Sequence, residues 1–146
     1  MAVTTEAAAV ILIVDDDRNG RETLRRALVR DGYEVLTAEN GKAALALAQD
    51  NPLDLVLTDL IMPGLGGLDF IEGLQVVQPE VPAILISAFA NVDTAVKAVR
   101  RGVHDVLEKP IRLRDVRRAV KRALDSRPSG GDRRALEKGG AGGPPG

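Results

Sequence analysis

Polar residues that could carry out chemistry stand where short apolar runs end. Asp15, Asp16 and Asp17 follow the run that ends at Val14, and Asp59 stands just beyond the run 53–57. Ser87 follows the run 81–86, and Lys109 stands just beyond the run 103–107. Carboxylates that converge oppose ionisation unless a cation compensates their charge, and all-oxygen ligands suit a hard divalent ion such as Mg²⁺. A carboxylate nucleophile, a metal ion, an ammonium group and a hydroxyl are together what an in-line phosphoryl transfer needs.

These side chains can meet only if the runs form neighbouring strands. Four nearly continuous apolar runs predict strands that are buried on both faces of a parallel sheet. They are Val10–Val14, 53–57, 81–86 and the weaker 103–107. Glu34–Ala38 contains fewer apolar residues, so it predicts a fifth strand at an exposed edge.

Five helical stretches alternate with these strands. In each, apolar residues recur every three or four positions, as one buried helix face requires. Turn signals such as Asp31-Gly32, Asn40-Gly41 and Asn51-Pro52 separate the elements. The alternation predicts an α/β fold, a doubly wound five-stranded parallel sheet with five helices. In such sheets ligands bind beyond the carboxyl ends of the strands, where the polar residues stand.

Length and composition favour one domain and a tail. We expect the domain over 8–125, and a disordered tail or truncated linker over 126–146, where seven of 21 residues are Gly and three are Pro. Cysteine is absent, which excludes disulfides and thiolate sites and makes a reducing cytoplasm the expected location. No window reaches the roughly 18 apolar residues of a membrane span, so no membrane partner is expected.

The charges are unevenly distributed although the net charge is −1. Ten of the twenty Lys and Arg residues lie between Arg112 and Lys138. Such a run favours a solvated helix face, with a partner surface as the alternative. No DNA-binding motif and few aromatic residues are present, so we predict no direct contact with nucleic acid. Asp17 is predicted to cap the first helix, and His104 to be structural or to face solvent.

Four separated stretches resemble the signature blocks of response-regulator receiver domains of two-component signalling. They are 11–17 (ILIVDDD), 58–64 (TDLIMPG), 86–88 (ISA) and 108–110 (EKP), in the family's order and at its usual intervals. The resemblance covers about residues 8–125, and it is specific because five separated positions agree. The stretch 87–98 (SAFANVDTAVKA) is similar to receivers of the nitrogen-regulator subfamily.

The resemblance implies a flavodoxin-like sheet of strand order 2-1-3-4-5 and a cis bond between Lys109 and Pro110. It also implies that Asp59 accepts a phosphoryl group from a sensor histidine kinase, and that Ser87 and Lys109 contact the phosphoryl oxygens. Magnesium would be held by Asp15, mainly through a bound water, and by Asp16, Asp59 and the main-chain carbonyl of Ile61.

By the same resemblance the chain is a signalling switch rather than an enzyme, and it catalyses its own phosphotransfer and slow dephosphorylation. The face built from the fourth helix, fifth strand and fifth helix would bind a downstream output domain or protein, and a homodimer stays open. Val106 departs from the family, which commonly has an aromatic residue three positions before the lysine. Ile61 and Phe89 occupy positions that influence hydrolysis, and their bulk predicts a long-lived acyl phosphate.

Two alternatives remain at this point. A receiver-like interaction module could bind partners without phosphate, an interpretation to which Val106 gives some support. A phosphatase of the haloacid-dehalogenase kind would carry its nucleophile after the first strand with a second aspartate two residues on. Asp15 and Asp17 have that spacing, but no cap or substrate pocket is evident in so short a chain.

Overall fold

The computed structural model describes residues 8–88 and 92–126, in which strands and helices alternate. The elements are β1 Val10–Val14, α1 Arg18–Arg30, β2 Glu34–Ala38, α2 Gly41–Asp50, β3 Leu55–Asp59, α3 Gly67–Val77, β4 Ala83–Ser87, α4 Val92–Arg100, β5 Asp105–Glu108 and α5 Leu113–Ser126. The strands pair in parallel in the order β2-β1-β3-β4-β5. The predicted fold, its strand order and the edge position of β2 are confirmed.

Alternate strand residues supply two apolar cores, one on each face of the sheet. Leu12 and Val56 pack in the core that includes buried residues of α2, α3 and α4. Ile13 and Leu57 pack in the core that includes buried residues of α1 and α5. Because β1 and β3 are covered on both faces, β1 and the first three residues of β3 are continuously apolar rather than alternating.

Three strands begin two residues later than their apolar runs predict. Leu53, Val81 and Val103 are buried, yet their N–H groups bond outside the sheet. Leu53 donates to the Gln78 side chain at 2.9 Å, Val81 to the Gln78 carbonyl at 3.2 Å and Val103 to the Ala98 carbonyl at 3.0 Å. The predicted starts at 53, 81 and 103 are wrong because the chain enters the core before strand pairing begins.

Local features at the element ends agree with the sequence. Asp17 caps α1 by accepting from the Gly20 N–H at 2.9 Å, and the Lys109-Pro110 bond is cis. His104 is exposed, with Nε2 3.0 Å from the Ser126 hydroxyl. Ser126, which the prediction assigned to the tail, is the last residue of α5, and 127–146 lie outside the described residues. None of the helices in the described ranges has the length and apolar character to cross a membrane.

Candidate functional site

The predicted site residues meet at the carboxyl edge of the sheet. Asp59 and Ser87 are the last residues of β3 and β4, one or two positions beyond the predicted strand ends. Asp15 follows β1, the neighbour of β3. In the described part of the chain, one group of three carboxylates could hold a metal ion, with ligand atoms within 4.8 Å of one another: Asp15, Asp16 and Asp59.

Asp59 and Lys109 form the central ion pair. The Asp59 residue is only 8 % exposed, and Lys109 Nζ donates to its Oδ2 at 3.1 Å. Burial raises the pKa of Asp59 to about 6; the Lys109 hydrogen bond works against this rise, and the charge of Asp15 adds to it. The neutral form of Asp59 is therefore favoured to an unusually high pH when no cation other than Lys109 is near.

The pKa of Lys109 is also raised, which for an ammonium group favours the charged form. Burial, the largest single influence, disfavours its charge, but the hydrogen bond to Asp59 and the charges of Asp59, Asp15 and Asp16 together raise its pKa. The ammonium group therefore stays charged. One cation faces three carboxylates in the described site, and this imbalance is of the kind that a divalent cation relieves.

The turn between β1 and α1 is held by bonds that sequence reasoning missed. The Asp17 N–H donates to Asp15 Oδ1 at 2.9 Å, and Arg21 Nη1 donates to the Asp15 carbonyl at 2.8 Å. A Cβ on Gly20 would lie 3.0 Å from Asp15 Oδ2. A glycine near the start of a helix, such as Gly20, indicates that another group lies too close for a side chain. Nothing in the sequence distinguishes Arg21 from its solvated neighbours.

The first residue of α3 must be a glycine because it lies against the backbone of the site. A Cβ on Gly67 would stand 2.2 Å from the Asp59 carbonyl oxygen and 2.9 Å from Leu60 Cα, and the Gly67 N–H donates to the Leu60 carbonyl at 2.8 Å. Thr58 is buried and donates to the Asp59 carbonyl at 3.0 Å. The backbone that carries Asp59 and the following loop is thereby fixed from two sides.

A small cavity opens beside the Asp59 carboxylate. It has a volume of about 160 Å³ and is lined by Asp59, Ile61, Ser87, Ala88 and Lys109. Ser87 is buried, and its carbonyl accepts from the Lys109 N–H at 2.9 Å, while the Ile61 side chain is 60 % exposed. A group placed in this cavity would meet the carboxylate, the ammonium and an apolar wall.

The residues assigned to signal readout lie on α4, β5 and α5. Val106 is half-buried and packs against the core beneath α2, α3 and α4. Val96 and Val99 of α4 are exposed large apolar residues. Arg122 bonds Asp105 at 2.8 Å, so part of the basic run is paired at the protein's own surface. Phe89, assigned to hydrolysis, lies outside the described residues.

The donor set fits a hard divalent cation. The carboxylates of Asp15, Asp16 and Asp59 offer only oxygen atoms, which Mg²⁺ prefers, and Mg²⁺ commonly retains several waters beside one or two carboxylates. Asp15 and Asp59 are buried and Asp16 is exposed, so the cluster opens to solvent on one side. A bound cation would offset charges that the fold has partly removed from water.

Comparisons with known proteins agree with this geometry. The family model of the response regulator receiver domain matches residues 11–121. The DNA-binding transcriptional regulator NtrC of Azospirillum brasilense is 41 % identical over 120 residues, which cover 82 % of this chain and 25 % of that protein. The regulatory protein AtoC of Escherichia coli is 40 % identical over 114 residues, covering 78 % and 25 %.

A solved structure, the receiver domain of NtrX from Brucella abortus, shares 36 % identity and a TM-score of 0.75, covering 80 % of this chain and 98 % of that one. The chain spans about a quarter of the length of the curated relatives it matches. The predicted resemblance to receivers of the nitrogen-regulator type is confirmed. With the fold, the site and these matches in agreement, the chain belongs to the response regulator receiver domain family.

Proposed function

We propose that this receiver domain accepts a phosphoryl group on Asp59 from a sensor histidine kinase. The observation that carries the proposal is the Asp59 carboxylate itself, which lies 3.1 Å from the Lys109 ammonium and opens onto a cavity of about 160 Å³. The carboxylates of Asp15 and Asp16 lie within 4.8 Å of it. Nucleophile and charge-neutralising groups therefore share one solvent-accessible edge, as phosphoryl transfer requires.

In the proposed step an Asp59 carboxylate oxygen attacks the phosphorus of the donor. The new oxygen–phosphorus bond forms as the donor's nitrogen–phosphorus bond breaks, and the leaving imidazole takes up a proton from solvent. The product is a mixed anhydride: the carboxylate loses its charge, which the proton on the leaving imidazole balances, and the phosphoryl oxygens bring their own negative charge into the site. The Lys109 ammonium and the Ser87 hydroxyl border the same cavity and are placed to stabilise those oxygens.

Magnesium is part of the proposal. The carboxylates of Asp15, Asp16 and Asp59 would hold it, and the resemblance to receiver domains adds the main-chain carbonyl of Ile61. When bound, the ion supplies positive charge that neutralises both the carboxylates and the transferred phosphoryl oxygens. The three carboxylates of Asp15, Asp16 and Asp59 then repel the anionic donor much less, whereas Lys109 alone neutralises only part of their charge.

Dephosphorylation is proposed to be slow because of the residue beside the cavity. Ile61 lines the cavity together with Asp59, and its apolar side chain offers no hydrogen bond that could orient an attacking water. Exclusion of water is a recognised way to protect a reactive intermediate. The acyl phosphate on Asp59 should therefore persist long enough to act as a signal, and the domain acts as a switch rather than as a turnover enzyme.

The phosphorylated state is proposed to act on an output domain or protein through the face formed by α4, β5 and α5. Val96 and Val99 supply exposed apolar surface there, which favours a partner that buries it. Val106 cannot serve as a large aromatic relay, so we infer that repacking of α4 itself carries more of the change. The relatives are named as DNA-binding and regulatory proteins, and a comparable output is proposed here.

The extent and setting of the domain are also proposals. The match over 11–121 and the elements from Val10 to Ser126 support a domain over 8–125. The prediction of a disordered tail or truncated linker over 126–146 rests on composition alone; Ser126 belongs to α5, and 127–146 lie outside the described residues. The lack of cysteine supports a cytoplasmic location, and a homodimer stays open.

Phosphorylation in vitro tests the proposal. The protein is incubated with acetyl phosphate and Mg²⁺, and intact mass should show one added phosphoryl group, which Asp59→Asn abolishes. Asp17→Asn is the matched control, because asparagine also serves as a helix N-cap and the adduct should persist. An adduct that survives Asp59→Asn, or no adduct with any donor, would contradict the proposal.

The two alternative functions predict different results for the same two variants. Steady turnover of a phosphate ester that is lost in Asp17→Asn would support the phosphatase. Partner binding unaffected by Asp59→Asn would support an interaction module without phosphate. Neither is favoured, since the family match and the NtrC-type relatives are response regulators.

A further inference from the structure

The metal-binding carboxylates of the proposed site depend on a short turn. Asp15 is the residue after β1, and Asp16 stands one residue further on. Asp16 is exposed, so the packing of its own side chain does little to direct its carboxylate. The backbone of the turn, which also carries Asp15, must therefore determine where the Asp16 carboxylate points.

Arg21 spans this turn with its main chain and its side chain. Its N–H donates to the Asp17 carbonyl at 3.0 Å as the first bond of α1. Its Nη1 donates to the Asp15 carbonyl at 2.8 Å, and the pair is partly buried. None of the ion pairs among the described residues includes Arg21, whereas Arg25, one helical turn on, pairs with Glu22 at 2.9 Å. The Arg21 guanidinium thus hydrogen-bonds a main-chain carbonyl rather than a carboxylate.

Holding the Asp15 carbonyl also holds Asp16. The atoms from Asp15 Cα to Asp16 Cα share one rigid peptide plane, so a bond to the Asp15 oxygen fixes the direction in which Asp16 leaves the turn. The other side-chain bond to Asp15, from the Asp17 N–H to Oδ1 at 2.9 Å, engages the carboxylate and not this plane. Without the guanidinium, the peptide plane loses its side-chain anchor.

We propose that Arg21 is a positioning residue for the metal site, which orients the Asp15–Asp16 peptide so that both carboxylates face Asp59. The inference rests on the proposed function, since it concerns the same acidic cluster. Residues that orient metal ligands typically contribute 10- to 100-fold to metal affinity. Arg21 belongs to this class because it acts through the ligands and need not touch the ion.

The test compares three substitutions on α1. Arg21→Met keeps an unbranched side chain and removes the donor, Arg21→Lys keeps a charged donor, and Arg26→Met is the control on an exposed position of the same helix. Mg²⁺ affinity is measured by calorimetry, stability without metal by urea unfolding, and the Mg²⁺ dependence of phosphorylation with acetyl phosphate.

We expect Arg21→Met to weaken Mg²⁺ binding by about tenfold or more, Arg21→Lys to recover most of the affinity, and Arg26→Met to match the wild type. The maximal phosphorylation rate at saturating Mg²⁺ should change much less than the Mg²⁺ concentration for half-maximal rate. A purely structural role would lower stability and leave the Mg²⁺ dependence unchanged.

Wild-type Mg²⁺ affinity in Arg21→Met would overturn the inference, whatever the effect on stability. If that variant does not fold, Arg21→Gln, which is shorter and uncharged, is measured in its place, with the same expected loss. Failure of the proposed function gives a different result, because wild type and Arg26→Met would then also fail to bind Mg²⁺ or to take up phosphate.

Discussion

Replacing Asp59 with asparagine should stabilise the metal-free protein at neutral pH. The carboxyl group is buried, and burial raises its pKa from 3.8 to about 6. The unfolded chain therefore releases this proton at lower pH than the folded protein does. Between those two values the folded state binds more protons, so the free energy of unfolding falls as pH rises through that window.

The size of the effect follows from the shift. Each pKa unit corresponds to about 1.4 kcal/mol, so a shift of this size would cost roughly 3 kcal/mol at pH 7. The shifted pKa already includes the favourable effect of Lys109 on the carboxylate. Residual contact of the carboxylate with water reduces the cost in free energy further. We expect Asp59→Asn to raise the free energy of unfolding by about 2 kcal/mol in the absence of metal.

Urea unfolding followed by circular dichroism in the presence of a chelator measures this difference. Glu80→Gln removes one charge from an exposed loop residue and should change stability by less than about 0.5 kcal/mol. The gain from Asp59→Asn should shrink as pH falls from about 6 towards 4 and should be absent below that window, where the group is protonated in both the folded and the unfolded state. Lower stability of Asp59→Asn at pH 7.5, or a difference independent of pH, would refute the reasoning.

Three further changes test other parts of the site. Lys109→Met removes the cation that lies 3.1 Å from Asp59, so the rate of phosphorylation by acetyl phosphate should fall about 100-fold. A rate within threefold of wild type would contradict the role of the ammonium group. Gly67→Ala would place a Cβ 2.2 Å from the Asp59 carbonyl oxygen and should lower the free energy of unfolding by about 2 kcal/mol. Gly66→Ala is the control and should be tolerated, because its Cβ would lie 3.5 Å from the nearest atom. Equal urea midpoints for the two variants would count against the contact. Ile61→Asn should shorten the lifetime of the phosphorylated protein, followed by intact mass after the donor is removed, and an unchanged lifetime would exclude shielding by Ile61.

Much of the fold could be predicted from the sequence because its signals are strong and repeated. Buried parallel strands require continuous apolar runs, and β1 and residues 55–57 of β3 meet that requirement. The strand starts were predicted too early because Leu53 and Val81 are buried while their N–H groups bond Gln78. Burial is visible in a sequence, but the partner of a backbone N–H is not.

The site was predictable to the extent that its residues stand at strand ends. Asp15, Asp59 and Lys109 follow from topology and charge together. Arg21 could not be predicted, because its bond goes to a main-chain carbonyl and a charged residue on an amphipathic helix normally faces solvent. Gly67 is one of several glycines that follow β3 in the sequence, and its approach to the Asp59 carbonyl depends on the folded backbone.

The identity of the phosphorylated residue tests the central claim most directly. After incubation with acetyl phosphate and Mg²⁺, borohydride reduction converts an aspartyl phosphate to homoserine, and peptide mass spectrometry locates the converted position. We predict homoserine at position 59, with Asp15, Asp16 and Asp17 unchanged. Conversion at any of those three positions, or no conversion in protein that has gained a phosphoryl group, would contradict the account.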